Sequence, residues 1–106
     1  MTKKGSRRVA FTCSTHARST VLADDDRVRV TRWDFEPGAN TGWHEHGLPY
    51  CIVMILGGTL AIHDGTNISH VALAAGDSYV RPKGIQHDVM NASDHPISFV
   101  EVEMKW

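Results

Sequence analysis

The segment "GDSYVRPKGIQHDVMN", residues 76 to 91, decides the fold. It reads Gly76, five residues, Pro82, one residue, Gly84, two residues, His87, three residues, Asn91. "SYVRP" (78 to 82) and "HDVMN" (87 to 91) are short strand candidates. Between them Pro82 has no amide hydrogen for a ladder and Gly84 tolerates the backbone of a turn. The spacing therefore predicts a strand that breaks, doubles back and carries His87 across the molecule.

Working outward, the rest of the chain has the same punctuation: short apolar runs separated by Gly, Pro, Asp and Asn. Further strand candidates are "VAFTC" (9 to 13), "RSTVLA" (18 to 23), "RVRVTRWDF" (27 to 35), "YCIVMIL" (50 to 56), "TLAIH" (59 to 63), "SHVALA" (69 to 74) and "ISFVEVEMKW" (97 to 106). "GG" at 57 and 58, "DGTN" at 64 to 67 and "AAGD" at 74 to 77 supply turn residues. Nothing between them has helical periodicity, so the expected class is all-β. Residues 1 to 8 are basic and small and are expected as a flexible arm, with 9 to 106 forming a single barrel domain.

Two runs bear on what covers the sheets. The last strand alternates, with Val100, Val102 and Met104 on one side and Glu101 and Glu103 on the other, which predicts a wet face at the glutamates. "YCIVMIL" does not alternate. A strand apolar on both faces needs two covers, the domain's own interior and then a second sheet or a partner subunit, so a homodimer is expected.

A second stretch, "GANTGWHEHGLPYC" (38 to 51), holds His44 and His46 one residue apart. On a strand they project to the same side, while Trp43 and Glu45 turn away. Imidazole suits Fe, Mn, Ni, Cu and Zn, so the pair names no element, and a pair of histidines on a solvated strand is common without a metal.

Read together, the two stretches resemble the paired signature of the cupin family. The first runs Gly38, five residues, His44, one, His46, then Gly58 after a further eleven; the second matches at every fixed position. The resemblance spans about residues 26 to 104 and implies a cupin-type double-stranded β-helix, a jelly-roll barrel. It implies His44, His46 and His87 as metal ligands around a divalent ion. Fe(II) is favoured, and Mn, Ni, Zn or Cu are alternatives. Three imidazoles leave coordination positions open, the arrangement of a catalytic rather than a closed structural site.

The chain departs from the family where a glutamate is expected, three or four residues beyond His46, since Tyr50 and Cys51 stand there. The spacing to Gly58 favours Cys51 as the occupant. Three readings of Cys51 compete: a thiolate ligand, a neighbour of a three-histidine iron centre as in the thiol dioxygenases that "HEHGLPYC" resembles, or a small apolar residue packing the wall. Asn91 steadies a ligand or a water, or else a turn. Tyr79 and Arg81 share one strand face, and Arg81 either clamps a substrate carboxylate or lies on the surface. Tyr50, Ile52, Met54 and Phe99 line the cavity or simply pack the core. His16, His63, His70 and His95 have no partner at metal spacing and are expected at the surface or in turns, and Trp33 and Trp43 at an interface.

Bulk properties narrow the class. The 106 residues suit one domain, and 42% hydrophobic with 22% charged residues is globular composition. A formal net charge of −1 argues against nucleic-acid partners. Two cysteines, Cys13 and Cys51, make no disulfide framework, which fits the cytoplasm. The basic N-terminus is followed by too short an apolar segment for a signal peptide, and no run is long enough to span a bilayer, so no membrane partner is expected.

"DRVRVTRWDFEPGANTGWHEH" with "SYVRPKGIQHDVMNASDHPISFVEVE" also looks like the small one-domain cupins associated with beta-alanine degradation. The resemblance implies a metal-dependent enzyme acting on a small polar or carboxylated metabolite. Dioxygenase-like chemistry is the first choice and isomerase or lyase chemistry the second. The rivals are a non-catalytic ligand-binding or sensor module and a structural dimer with a relic site.

Overall fold

The computed structural model describes residues 15–106. The basic arm, the "VAFTC" strand candidate and Cys13 lie outside the described residues. Within them the chain forms nine strands and no helix: β1 (Arg18–Asp24), β2 (Val28–Phe35), β3 (His44–Glu45), β4 (Tyr50–Leu56), β5 (Gly58–His63), β6 (Ile68–Leu73), β7 (Ser78–Arg81), β8 (Gln86–Asn91) and β9 (Ile97–Met104). No helix of the described residues is long and apolar enough to cross a membrane.

The strands form two antiparallel sheets, ordered β1-β2-β9-β4-β7 and β3-β8-β5-β6. They face each other as the jelly-roll barrel expected from the sequence. Phe35, Tyr50, Ile52, Met54, Leu60 and Phe99 are among the buried residues that fill it. The turns form where glycine and aspartate predicted them. Asp64 Oδ1 accepts the amides of Thr66 and Asn67 at 2.9 and 2.8 Å, closing the β5–β6 hairpin. The end of β4 is tighter: a Cβ on Gly57 would lie 2.9 Å from the Ala74 Cα, so backbone crowding demands glycine there.

Burial shows which faces turn inward and corrects one reading. Although "YCIVMIL" is apolar throughout, its burial alternates: Tyr50, Ile52 and Met54 point inward, while Cys51 and Val53 point out. On β9 the glutamate side is the barrel interior. Ile97, Phe99 and Glu101 are buried, whereas Val100, Val102 and Met104 are only half-buried on the outside. The alternation separated two faces correctly, but the face expected to be wet is the inner one.

β4 also carries a bulge. Its pairing with β9 steps from Met54↔Phe99 to Leu56↔Ser98, so two residues of β4 advance for one of β9. Ile55 is the extra residue, and this shifts which side chain of β4 faces the site.

Candidate metal centre

The site begins with a backbone pairing. In the β3–β8 ladder His44 lies opposite His87 and Glu45 opposite Gln86. The pairing continues past β3, where the His46 amide donates to the Ile85 carbonyl at 2.8 Å and the Gly84 amide donates to the His46 carbonyl at 2.7 Å. Gly84 has φ +95°, so the turn predicted from Pro82 and Gly84 is also what anchors His46.

These constraints bring three imidazoles to one point. His46 Nε2 lies 3.0 Å from His44 Nε2 and 3.0 Å from His87 Nε2, and the ligand atoms of all three lie within 4.8 Å of one another. The opposite ring atoms fix the tautomers. His44 Nδ1 is 2.9 Å from the Gly42 carbonyl oxygen, and His46 Nδ1 is 3.2 Å from Glu101 Oε2. A carbonyl and a carboxylate only accept, so in the neutral ring each Nδ1 carries the hydrogen and each Nε2 presents a lone pair. Burial, reinforced by His44 and His46, pushes His87 down to about 3, which keeps its ring neutral.

Bare lone pairs 3.0 Å apart repel unless a cation lies between them. A proton bridges one pair at a time; a metal ion serves all three. Two nitrogens each about 2.1 Å from one ion would stand about 3.0 Å apart if they subtended roughly 90° there, so the two 3.0 Å spacings fit residues that would hold one divalent ion.

Supporting groups hold the rings. Glu101 is 7% exposed, accepts from Trp33 Nε1 at 2.8 Å and faces His46. Burial pushes its carboxyl up, but the bonds from His46 and Trp33 outweigh this and hold it below its usual value. Asp88 ties down the segment before the motif, accepting from Asn40 Nδ2 at 2.9 Å and from the Gly42 amide at 3.1 Å. Gly42 in turn aims its carbonyl at His44.

Tyr50 occupies the inward position expected of a cavity-lining residue. Its ring stacks on His46, with centroids 3.8 Å apart and planes at 22°. Cys51, the next residue along β4, faces outside; its Sγ is not part of the histidine cluster. The spacing that favoured Cys51 counted back from Gly58 through the bulge at Ile55, which displaces the register by one.

Asn91 is not at the centre but beneath it, 1% exposed. Its Nδ2 donates to the Phe35 and His95 carbonyls at 3.2 and 2.8 Å, and its Oδ1 accepts the Ser93 amide at 2.8 Å. It stabilises a turn. Arg81 lies opposite Tyr50 in the β4–β7 ladder and is exposed. His63, expected at the surface, is buried and packs edge-on against Trp43. Trp33, expected at an interface, serves Glu101.

Glu101, Trp33, Asp88 and Thr41, whose Oγ1 lies 3.2 Å from His44 Nδ1, are the site residues that the sequence reading missed. For Glu101 a signal existed: it shares a period-two face with Phe99, which was itself a candidate for cavity lining.

Two cavities meet at the centre. One, of about 330 Å³, opens on the β1–β2 side and is lined by Thr31, Trp33, Phe99 and Glu101 among others. The other, of about 840 Å³, opens between β6 and β7. Tyr50, Tyr79 and His87 border both.

Residues 31–103 match the family profile described as Cupin domain. The chain is 45% identical over 86 residues, 81% of its own length and 90% of the relative's, to the beta-alanine degradation protein BauB of Pseudomonas aeruginosa. Among solved structures it is similar to a cupin domain from Bordetella pertussis, with a TM-score of 0.84 and 39% identity over 96% of this chain and 100% of that one. A protein with a double-stranded β-helix domain from Klebsiella pneumoniae has a TM-score of 0.72 at 23% identity, covering 95% and 91% of the two chains; this likeness concerns the fold alone.

Proposed function

Because the chain belongs to the cupin family, we propose that it is a metal-dependent enzyme for a small polar or carboxylated metabolite. His44, His46 and His87 are its proposed ligands and Fe(II) the favoured ion. The observation that carries the proposal is the 3.0 Å separation of the His44 and His46 Nε2 atoms, each ring having its Nδ1 beside an acceptor. The name of the Pseudomonas aeruginosa relative supports a place in beta-alanine degradation.

A bound divalent ion supplies Lewis acidity or a redox centre. The chain's residues do the rest. Glu101 holds the proton of His46 at Nδ1 and keeps Nε2 directed at the centre. Phe99, Ile52 and Val89 limit water on the 330 Å³ side. Burial, then the neighbouring Tyr79, pushes the Tyr50 phenol up to about 12, so it remains a hydrogen-bond donor at neutral pH. Dioxygenase-like chemistry is the first choice of reaction, since an ion held by the three histidines would supply a redox centre, and isomerase or lyase chemistry is the second.

The test is metal content and oxygen uptake. The purified protein should carry about one ion per chain, and His44→Ala, His46→Ala and His87→Ala should each lose it while still unfolding cooperatively. With iron restored, oxygen consumption is followed on a panel of small amino acids, thiols and beta-alanine-related acids. Metal retained without turnover favours a binding or sensor module, and protein that cannot be loaded favours a relic site.

We also propose a homodimer in the cytoplasm, paired through the outer face of β4 and β7. Val53 and Val80 are 38% and 67% exposed there, beside the free thiol of Cys51. Sedimentation should give twice the chain mass, and Val80→Glu should halve it.

A further inference from the structure

The two openings to the centre differ in charge. Glu45, Glu101 and Glu103 line the smaller cavity, and its arginine, Arg29, is already held by Asp24 at 3.2 Å and Glu103 at 3.5 Å. An anion entering there meets acids. The larger cavity has acids too, but Asp64 accepts the amides of Thr66 and Asn67, and Asp77 accepts the Ala74 amide at 2.8 Å, so both serve their own turns.

Arg81 is different. It lines the larger cavity and stands on β7, an edge strand of its sheet. Among the described residues no carboxylate lies within ion-pair distance of it, whereas Arg29 has two and Arg32 has one. It pairs across the ladder with Tyr50, and the Tyr50 ring is stacked on His46. A cation with no carboxylate partner, hydrogen-bonded to the Tyr50 phenol, thus stands one side chain away from the histidine cluster, in a cavity that His87 also lines.

We infer that the larger cavity is the substrate entrance and a carboxylate subsite, in which the Arg81 guanidinium anchors a short-chain acid with its reactive group a few carbons away at the histidines. The planar guanidinium matches both oxygens of a carboxylate. Tyr50, between anchor and centre, supplies a phenolic hydrogen to the same ligand. The inference deepens the function proposed above and rests on it for what the acid is presented to; capture of the anion by Arg81 needs no metal.

The experiment is calorimetric titration of iron-loaded and chelator-treated protein with 3-hydroxypropionate and with its amide, which has the same shape and no charge. The loaded protein should prefer the acid by at least about tenfold, and the treated protein should keep the preference at lower affinity. Arg81→Gln should weaken the acid about 10- to 100-fold and leave the amide unchanged, with Arg81→Lys intermediate. Arg29→Gln, at the other opening, should leave acid binding unchanged. Equal binding of acid and amide, no measurable acid binding, undiminished acid binding by Arg81→Gln, loss with Arg29→Gln instead, or tighter binding of inorganic phosphate would each overturn the inference. If the protein proves unable to hold metal yet keeps the Arg81-dependent preference, the metal function fails and the carboxylate subsite stands.

Discussion

The Glu101 carboxylate stands 3.2 Å from Nδ1 of His46, with both side chains less than a tenth exposed. It comes from β9, 55 positions further along the chain (101 − 46 = 55). The first histidine motif lacks its usual glutamate, and this carboxylate approaches the same ring from another strand. It touches the proton-bearing nitrogen rather than the centre, so its effect on the centre is exerted through His46.

Glu101→Gln should therefore keep the fold and weaken metal binding by about 10- to 100-fold, because a neutral amide orients the His46 ring and raises its basicity less than a carboxylate does. Competition with a chromophoric chelator measures this. Unchanged affinity would mean that stacking on Tyr50 alone positions the ring.

Cys51→Ser should leave metal stoichiometry unchanged, since the side chain points out of the barrel. Elemental analysis of the purified variant checks it. A sharp loss of metal would show that the thiol reaches the centre after all.

Asn91→Ala should destabilise the protein by roughly 2 to 4 kcal/mol, because it strips buried partners from the Phe35 carbonyl, the His95 carbonyl and the Ser93 amide. Urea denaturation reads the loss, and metal per folded chain should not change. A variant of native stability but low metal content would return Asn91 to the site.

Acid should loosen two hairpins. Asp25 accepts the amides of Val28 and Arg27, and Asp64 those of Asn67 and Thr66; these bonds hold both carboxyls below 3.8. Since the folded values are the lower ones, the stabilisation is fully present above pH 3.8 and is lost as pH falls through them. The double variant Asp25→Asn, Asp64→Asn should lose melting temperature less steeply than the parent between about pH 4 and 2. Equal slopes would rule these two groups out.

The histidine triad was legible through the resemblance of the two spaced stretches to the cupin signature, in which one residue separates His44 from His46 and a proline–glycine break precedes His87. The strands were legible from local punctuation by turn residues. What escaped depended on which side of a strand faces in. On β9 valines and glutamates alternate cleanly, and hydrophobicity alone assigned the glutamates to water. A barrel that encloses a polar centre inverts that assignment, so Glu101 and its partner Trp33 went unread. His63 was misplaced because burial of a single polar residue leaves no periodic trace.

The bulge at Ile55 also has a consequence for the chain's tolerance of insertion and deletion. It acts as a one-residue spacer between the histidine end of β4 and the crowded glycines that follow. Deleting it would force one end of the strand to turn over. If the histidine end gave way, a sulfhydryl would replace the phenol beside His46, and a change of one codon would give the barrel a different chemistry.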